Sequence, residues 1–151
     1  MSNHTVRKLL HHWSRAGATV LPAATDAEIT AFEKKNDVSL PFDLRSYYQA
    51  ANGFGLPGDQ DTNGFSFWPL SRVSPLATFE GGSWAHGVPG FIFADYLSLS
   101  WGYAFVPDVG NTSARYCLVG TADGEPIWIA EDFASFVELY LRDDRRLYPP
   151  A

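Results

Sequence analysis

Apolar residues recur along this chain with two periods, first a helical one and then a strand-like one. Val6, Leu9, Leu10 and Trp13 fall at i, i+3, i+4 and i+7, one face of a helix for which Gly17 is a suitable stop. Thr25 followed by Glu28 is a capping-box pair that opens a second helix, with Ile29 and Phe32 turned inward. Pro41 fits the first turn of a third helix, and Asp43 favours its positive end. Leu44, Tyr47, Tyr48 and Ala51 form its apolar stripe, closed by Asn52-Gly53.

The period then changes. Residues 53–64 hold Gly53, Gly55, Pro57, Gly58 and Gly64 among polar residues and read as a loop. Phe65-Ser66-Phe67-Trp68 alternates as a strand that Pro69 ends. Gly81-Gly82 and Gly87-Val88-Pro89-Gly90 bracket a second loop carrying Trp84 and His86. Further strands are predicted over Gly90 to Tyr96, Leu99 to Val106 and Tyr116 to Val119, with Asp123-Gly124 turning the last into Ile127-Trp128-Ile129.

Helical spacing returns at the end. Phe133, Phe136, Val137, Tyr140 and Leu141 make one apolar face behind Asp132 as N-cap, and Glu138 with Arg142 forms an i, i+4 pair. Helices, then strands, then a helix predict an α+β fold. The expected architecture is one domain over residues 1–151, an antiparallel sheet packed with the N-terminal helices and the C-terminal helix. Leu44, Tyr48, Phe133, Phe136 and Tyr140 are the expected core.

Composition agrees with a folded domain. The 151 residues are 46% apolar and include 11 Phe, 7 Tyr and 5 Trp, enough to fill a core. A single cysteine, Cys117, excludes an internal disulfide and a multi-cysteine zinc site. No run of about 20 apolar residues or signal-type h-region is present, so the expected compartment is the cytoplasm. Eleven basic against 17 acidic residues give a net charge of −6, which disfavours nucleic acid or an anionic membrane as partner. The imbalance is regional. Residues 46–138 carry two basic and ten acidic groups, net −8, most of them expected to be exposed in loops or at strand ends.

Motifs for chemistry are weak. Asp59-Gln60-Asp61-Thr62-Asn63-Gly64 opens like a calcium loop, but the twelfth position is Leu70, which supplies no bidentate carboxylate, and neither flank reads as a helix. A polar loop with Asx turns is the alternative and is preferred. His11 and His12 lie about 100° apart on a helix and cannot easily share a metal. His86 could pair with Glu80, yet no nucleophile accompanies it, and Cys117 sits within a strand as a small hydrophobe. No phosphate-loop spacing is present. No catalytic residue, metal or cofactor is expected, and an enzyme ranks last among the readings.

Two stretches carry a family resemblance. Ile29, Phe32-Glu33, Leu40-Pro41, Leu44, Tyr47-Tyr48 and Asn52-Gly53, then Ile129-Ala130-Glu131-Asp132-Phe133 with Phe136 and Leu139 to Leu141, are similar in order and spacing to the SUKH superfamily, the group of the Smi/Knr-type domains. The middle, Phe91 to Val106 with Gly102 as its one glycine, departs from the Gly-rich sheet segment of many members. The resemblance implies an α+β fold without catalytic residues. For bacterial members it implies service as immunity proteins that bind and block toxin domains, many of them nucleases. For fungal members it implies regulatory scaffolding of cell-wall synthesis.

Joined to the acidic middle, it leads to an expected protein partner, a basic toxin domain met by an acidic face. Asp59, Asp61, Glu80 and Asp95 are the expected charges, and Trp84 and Trp101 the expected anchors. A regulatory or scaffolding module is the alternative. A small-ligand or calcium-binding domain using residues 59–64 is the third reading.

Overall fold

The capping pair read from the sequence is formed. Thr25 Oγ1 accepts from the Glu28 backbone N–H at 3.1 Å, and the Thr25 N–H donates to Glu28 Oε1 at 2.9 Å. That reciprocal pair satisfies two donors at the start of α2 (Asp26–Asn36). Before it lies α1 (Asn3–Arg15), after it α3 (Phe42–Tyr48), and the chain closes with α4 (Phe133–Leu141), capped by the Asp132 carboxylate on Ser135 N. These positions come from a computed structural model, which describes residues 3–54, 59–79, 87–110 and 112–150.

Between α3 and α4 run six strands: β1 (Phe65–Phe67), β2 (Ser74–Pro75), β3 (Phe91–Tyr96), β4 (Trp101–Pro107), β5 (Ala114–Val119) and β6 (Ile127–Ala130). They form one antiparallel sheet in the order β1-β3-β4-β5-β6, with β2 paired to the other end of β3. This is the expected α+β architecture. Its two faces differ. The inner face presents Phe65, Phe67, Phe93, Tyr103, Phe105 and Tyr116 to the helices, and Leu44, Tyr48, Phe133, Phe136 and Tyr140 are buried against them. On the outer face Ile92, Ala104, Val106, Cys117 and Val119 lie under Trp68, Leu76, Phe79 and Val88 from the segment that follows β1.

Three local expectations are corrected. Glu138 does not pair with Arg142. It accepts from Lys8 of α1 at 3.0 Å, while Arg142 turns to Asp144 at 3.0 Å. Leu99 does not begin a strand. Leu97, Ser98 and Leu99 all have left-handed φ, and the Asp95 carboxylate holds that turn by accepting from Leu99 N at 2.6 Å. The third helix spans only to Tyr48, short of Ala51, and its bonding does not continue because the Tyr48 carbonyl accepts from Ala24 N at 2.8 Å while Asn52 N donates to the Leu21 carbonyl at 3.4 Å.

The two edges of the sheet are treated differently. On the outer side of β1, Asp61 Oδ1 accepts from Phe65 N, the Phe65 carbonyl accepts from Asp61 N, and the Phe67 carbonyl accepts from Phe54 N. Among the described residues β6 pairs with β5 alone.

Candidate partner-binding surface

The described residues among those expected to meet a partner differ in their exposure. Asp61 is 6% exposed, and its carboxylate accepts from Asn63 N at 2.8 Å, Phe65 N at 3.0 Å and the Tyr140 hydroxyl. Tyr140 Oη in turn accepts from Trp13 Nε1 at 2.9 Å. The chain therefore tethers α1, α4 and the loop before β1. Burial beside the Asp61 charge pushes the Tyr140 hydroxyl well above the usual phenol range. Asp95 is 3% exposed and accepts from Trp68 Nε1 at 2.6 Å as well as from Leu99 N. The expectation that these two acids are exposed is overturned. A buried carboxylate persists only where donors replace water, and both have them.

Trp101 also makes contacts within the fold. It is half-buried, stacks on Tyr96 at 4.7 Å, and donates from Nε1 to Tyr103 Oη at 2.9 Å and to the Leu147 carbonyl at 3.2 Å. The bond to Leu147 fastens the C-terminal turn. Asp59 is exposed, at the mouth of a small cavity of about 100 Å³ also lined by Ser66, Arg72, Asp95 and Ser98. That volume is well below the roughly 300 Å³ at which small-molecule sites begin. Glu80, Trp84 and His86 lie outside the described residues.

Asp61 also bears on the calcium reading. Its two oxygens face two backbone donors and a phenol, and no group of three or more His, Cys, Asp or Glu among the described residues could hold a metal ion. Cys117 is fully buried, and burial pushes its thiol up to about 12. Such a thiol is not a nucleophile at neutral pH.

The surface carries charge elsewhere. Asp123, Glu125, Glu131 and Asp132 are exposed around the β5–β6 turn and the β6–α4 junction. Between them stands Trp128, 41% exposed. Trp128 faces Cys117 across the β5–β6 ladder, which puts it on the outer face, and the Arg115 guanidinium lies 4.1 Å from its ring centre. Sequence reasoning placed Trp128 in its strand and missed the face it occupies. The signal was present: in Ile127-Trp128-Ile129 the middle side chain must point opposite to the two isoleucines.

Helices on one face of an antiparallel sheet, with acids both buried as fasteners and displayed on a far hairpin, define a small α+β domain whose free chemistry is surface charge. The chain belongs to the SMI1 / KNR4 family (SUKH-1), whose family model matches residues 23–139. The match runs through the middle strands as well as the two stretches that carried the resemblance. No curated protein matches the chain. The family is associated with protein–protein interaction, in toxin immunity and in regulation of the Smi1/Knr4 type. No helix among the described residues is long and apolar enough to cross a membrane.

Proposed function

We propose that this protein is a cytoplasmic immunity module of a bacterium, which binds a cognate toxin domain in stoichiometric fashion and blocks it without catalysis. Family membership over residues 23–139 carries the reading. The charge of the molecule supports the kind of toxin. A nuclease must attract a polyanion, so its active face is rich in Lys and Arg, and residues 46–138 of this chain hold ten acids against two basic groups. Exposed acids raise the encounter rate with such a face. Asp59, Asp123, Glu125, Glu131 and Asp132 are the exposed carboxylates of that region nearest this role. Glu80 and Trp84 keep their proposed place in it from the sequence. Asp61 and Asp95 act through the fold that holds these groups in place, and the partly exposed Trp101 keeps its proposed place as an anchor.

The test is affinity capture from the native host followed by co-expression. A captured toxin domain that stops growth alone, and fails to when this protein is present, supports the proposal. Capture of a cell-wall enzyme or kinase that is not toxic assigns the regulatory role of the family instead.

A further inference from the structure

An antiparallel sheet has two edges, and each presents a row of backbone donors and acceptors. Here one is closed from within. The Asp61 carboxylate and the Phe54 backbone take up the outer groups of β1. At the other edge, no backbone or side-chain hydrogen bond reaches residues 127–130 from any described residue beyond β5. Edges are ordinarily guarded by charge within the strand. Ile127-Trp128-Ile129-Ala130 has none, and it carries the most exposed tryptophan among the described residues, at 41%. The charges sit just past its ends, Glu125 before it and Glu131 and Asp132 after it.

We propose that the outer edge of β6 is a strand-addition site that takes an extended, Lys- or Arg-bearing segment of a protein partner, with Trp128 as its anchor. Pairing to the edge supplies the backbone bonds, while alternate side chains supply specificity. Trp128 offers a large rigid surface already backed by Arg115 at 4.1 Å. Glu125 and Glu131, three residues to either side of Trp128, meet cationic side chains at both ends of a short partner strand. The same charges argue against a second copy of this chain. Antiparallel pairing of β6 with itself would bring the Glu125 end of one copy to the Glu131 end of the other, and like charges directly opposite are destabilising. The inference rests on the reading of the protein as a protein-binding module and specifies where it binds.

The probe is a heptapeptide of alternating Lys and Val, compared with the same peptide N-methylated at every second residue. The methylated form keeps charge and side chains and loses the edge donors. Amide shifts of the whole protein are followed by NMR at low salt. The expected result is that the amides of 127–130 and the Trp128 indole shift on titration, and that the unmethylated peptide binds at least about tenfold tighter, as a strand-paired hot spot requires. Trp128→Ala, an exposed change that leaves the core intact, should weaken binding about tenfold, and the pair Glu125→Lys with Glu131→Lys should weaken it further and remove its salt dependence. Equal affinity for the two peptides, or shifts confined to another part of the molecule, overturns the proposal. Concentration-dependent shifts of the same amides without peptide also overturn it and give the edge to a second copy. A captured partner that binds wild type and Trp128→Ala alike refutes the β6 site while leaving the immunity reading intact.

Discussion

Tyr140 is the residue through which three elements are joined, since its hydroxyl gives to Asp61 and receives from Trp13. Tyr140→Phe keeps the ring and leaves both partners buried without it. It should cost about 1–3 kcal/mol, the usual penalty for an orphaned buried polar group, and denaturant unfolding measures it. Phe136→Ala removes a ring that touches Phe67, Phe93, Tyr103 and Tyr116. About 3–5 kcal/mol should be lost there through burial and cavity. Cys117, fully buried with its thiol pushed up to about 12, should resist thiol reagents at pH 8 until the protein is unfolded. Fast labelling of the native protein would contradict its placement. The inward helix residues were legible because helical spacing fixes their direction locally. Asp61 and Asp95 were not, because their side-chain donors, Tyr140 and Trp68, lie 79 and 27 positions away in the chain. Sequence showed their charge and concealed their partners.

At the scale of elements, the α3–β1 connection is the most constrained. Gly53 has φ +73, and a Cβ there would fall 2.7 Å from the Trp68 carbonyl carbon, against backbone that cannot retreat. Gly53→Ala therefore combines left-handed strain with a backbone clash and should cost more than the roughly 1 kcal/mol of an average substitution; thermal unfolding reads this. Thr25→Ala removes the α2 capping pair and should cost about 1 kcal/mol. The four helices were readable in advance, since caps and apolar faces are local signals. So were β1, from its alternation, and β3, β4, β5 and β6, from apolar runs and the Asp123-Gly124 turn, although β4 begins at Trp101 and not Leu99. β2 is two residues long and exists only because β3 lies beside it. The left-handed turn at 97–99 depends on Asp95 below it. Neither leaves a local pattern to read. The open edge of β6 is a property of the assembled sheet and could be seen only once strand order was known.

Across the whole molecule, ionisation divides the pH range. Burial raises the hydroxyls of Tyr47, Tyr48, Tyr103, Tyr116 and Tyr140 above the ordinary value of 10.0. A group whose native pKa is raised lends stability that is whole below its unfolded value and is lost as the pH rises past it. Stability should therefore fall steeply above about pH 10, with Cys117 adding to the loss from about pH 9. On the acid side, hydrogen bonds from Arg146 and Arg142 hold the half-buried Asp144 carboxyl well below its usual range. Its contribution is present above about pH 4 and fades as the pH drops toward the lower native value.

The net charge of −6 acts at the same scale, by steering rather than by folding. The proposed immunity role turns on what this acidic surface does to a toxin domain. The direct measurement is growth of cells expressing the captured toxin domain with wild-type protein or with the Trp128→Ala, Glu125→Lys, Glu131→Lys variant. The expected result is full rescue by the wild type and reduced rescue by a variant that remains folded. Failure of the wild-type protein to rescue growth, while it still binds the domain, would contradict it.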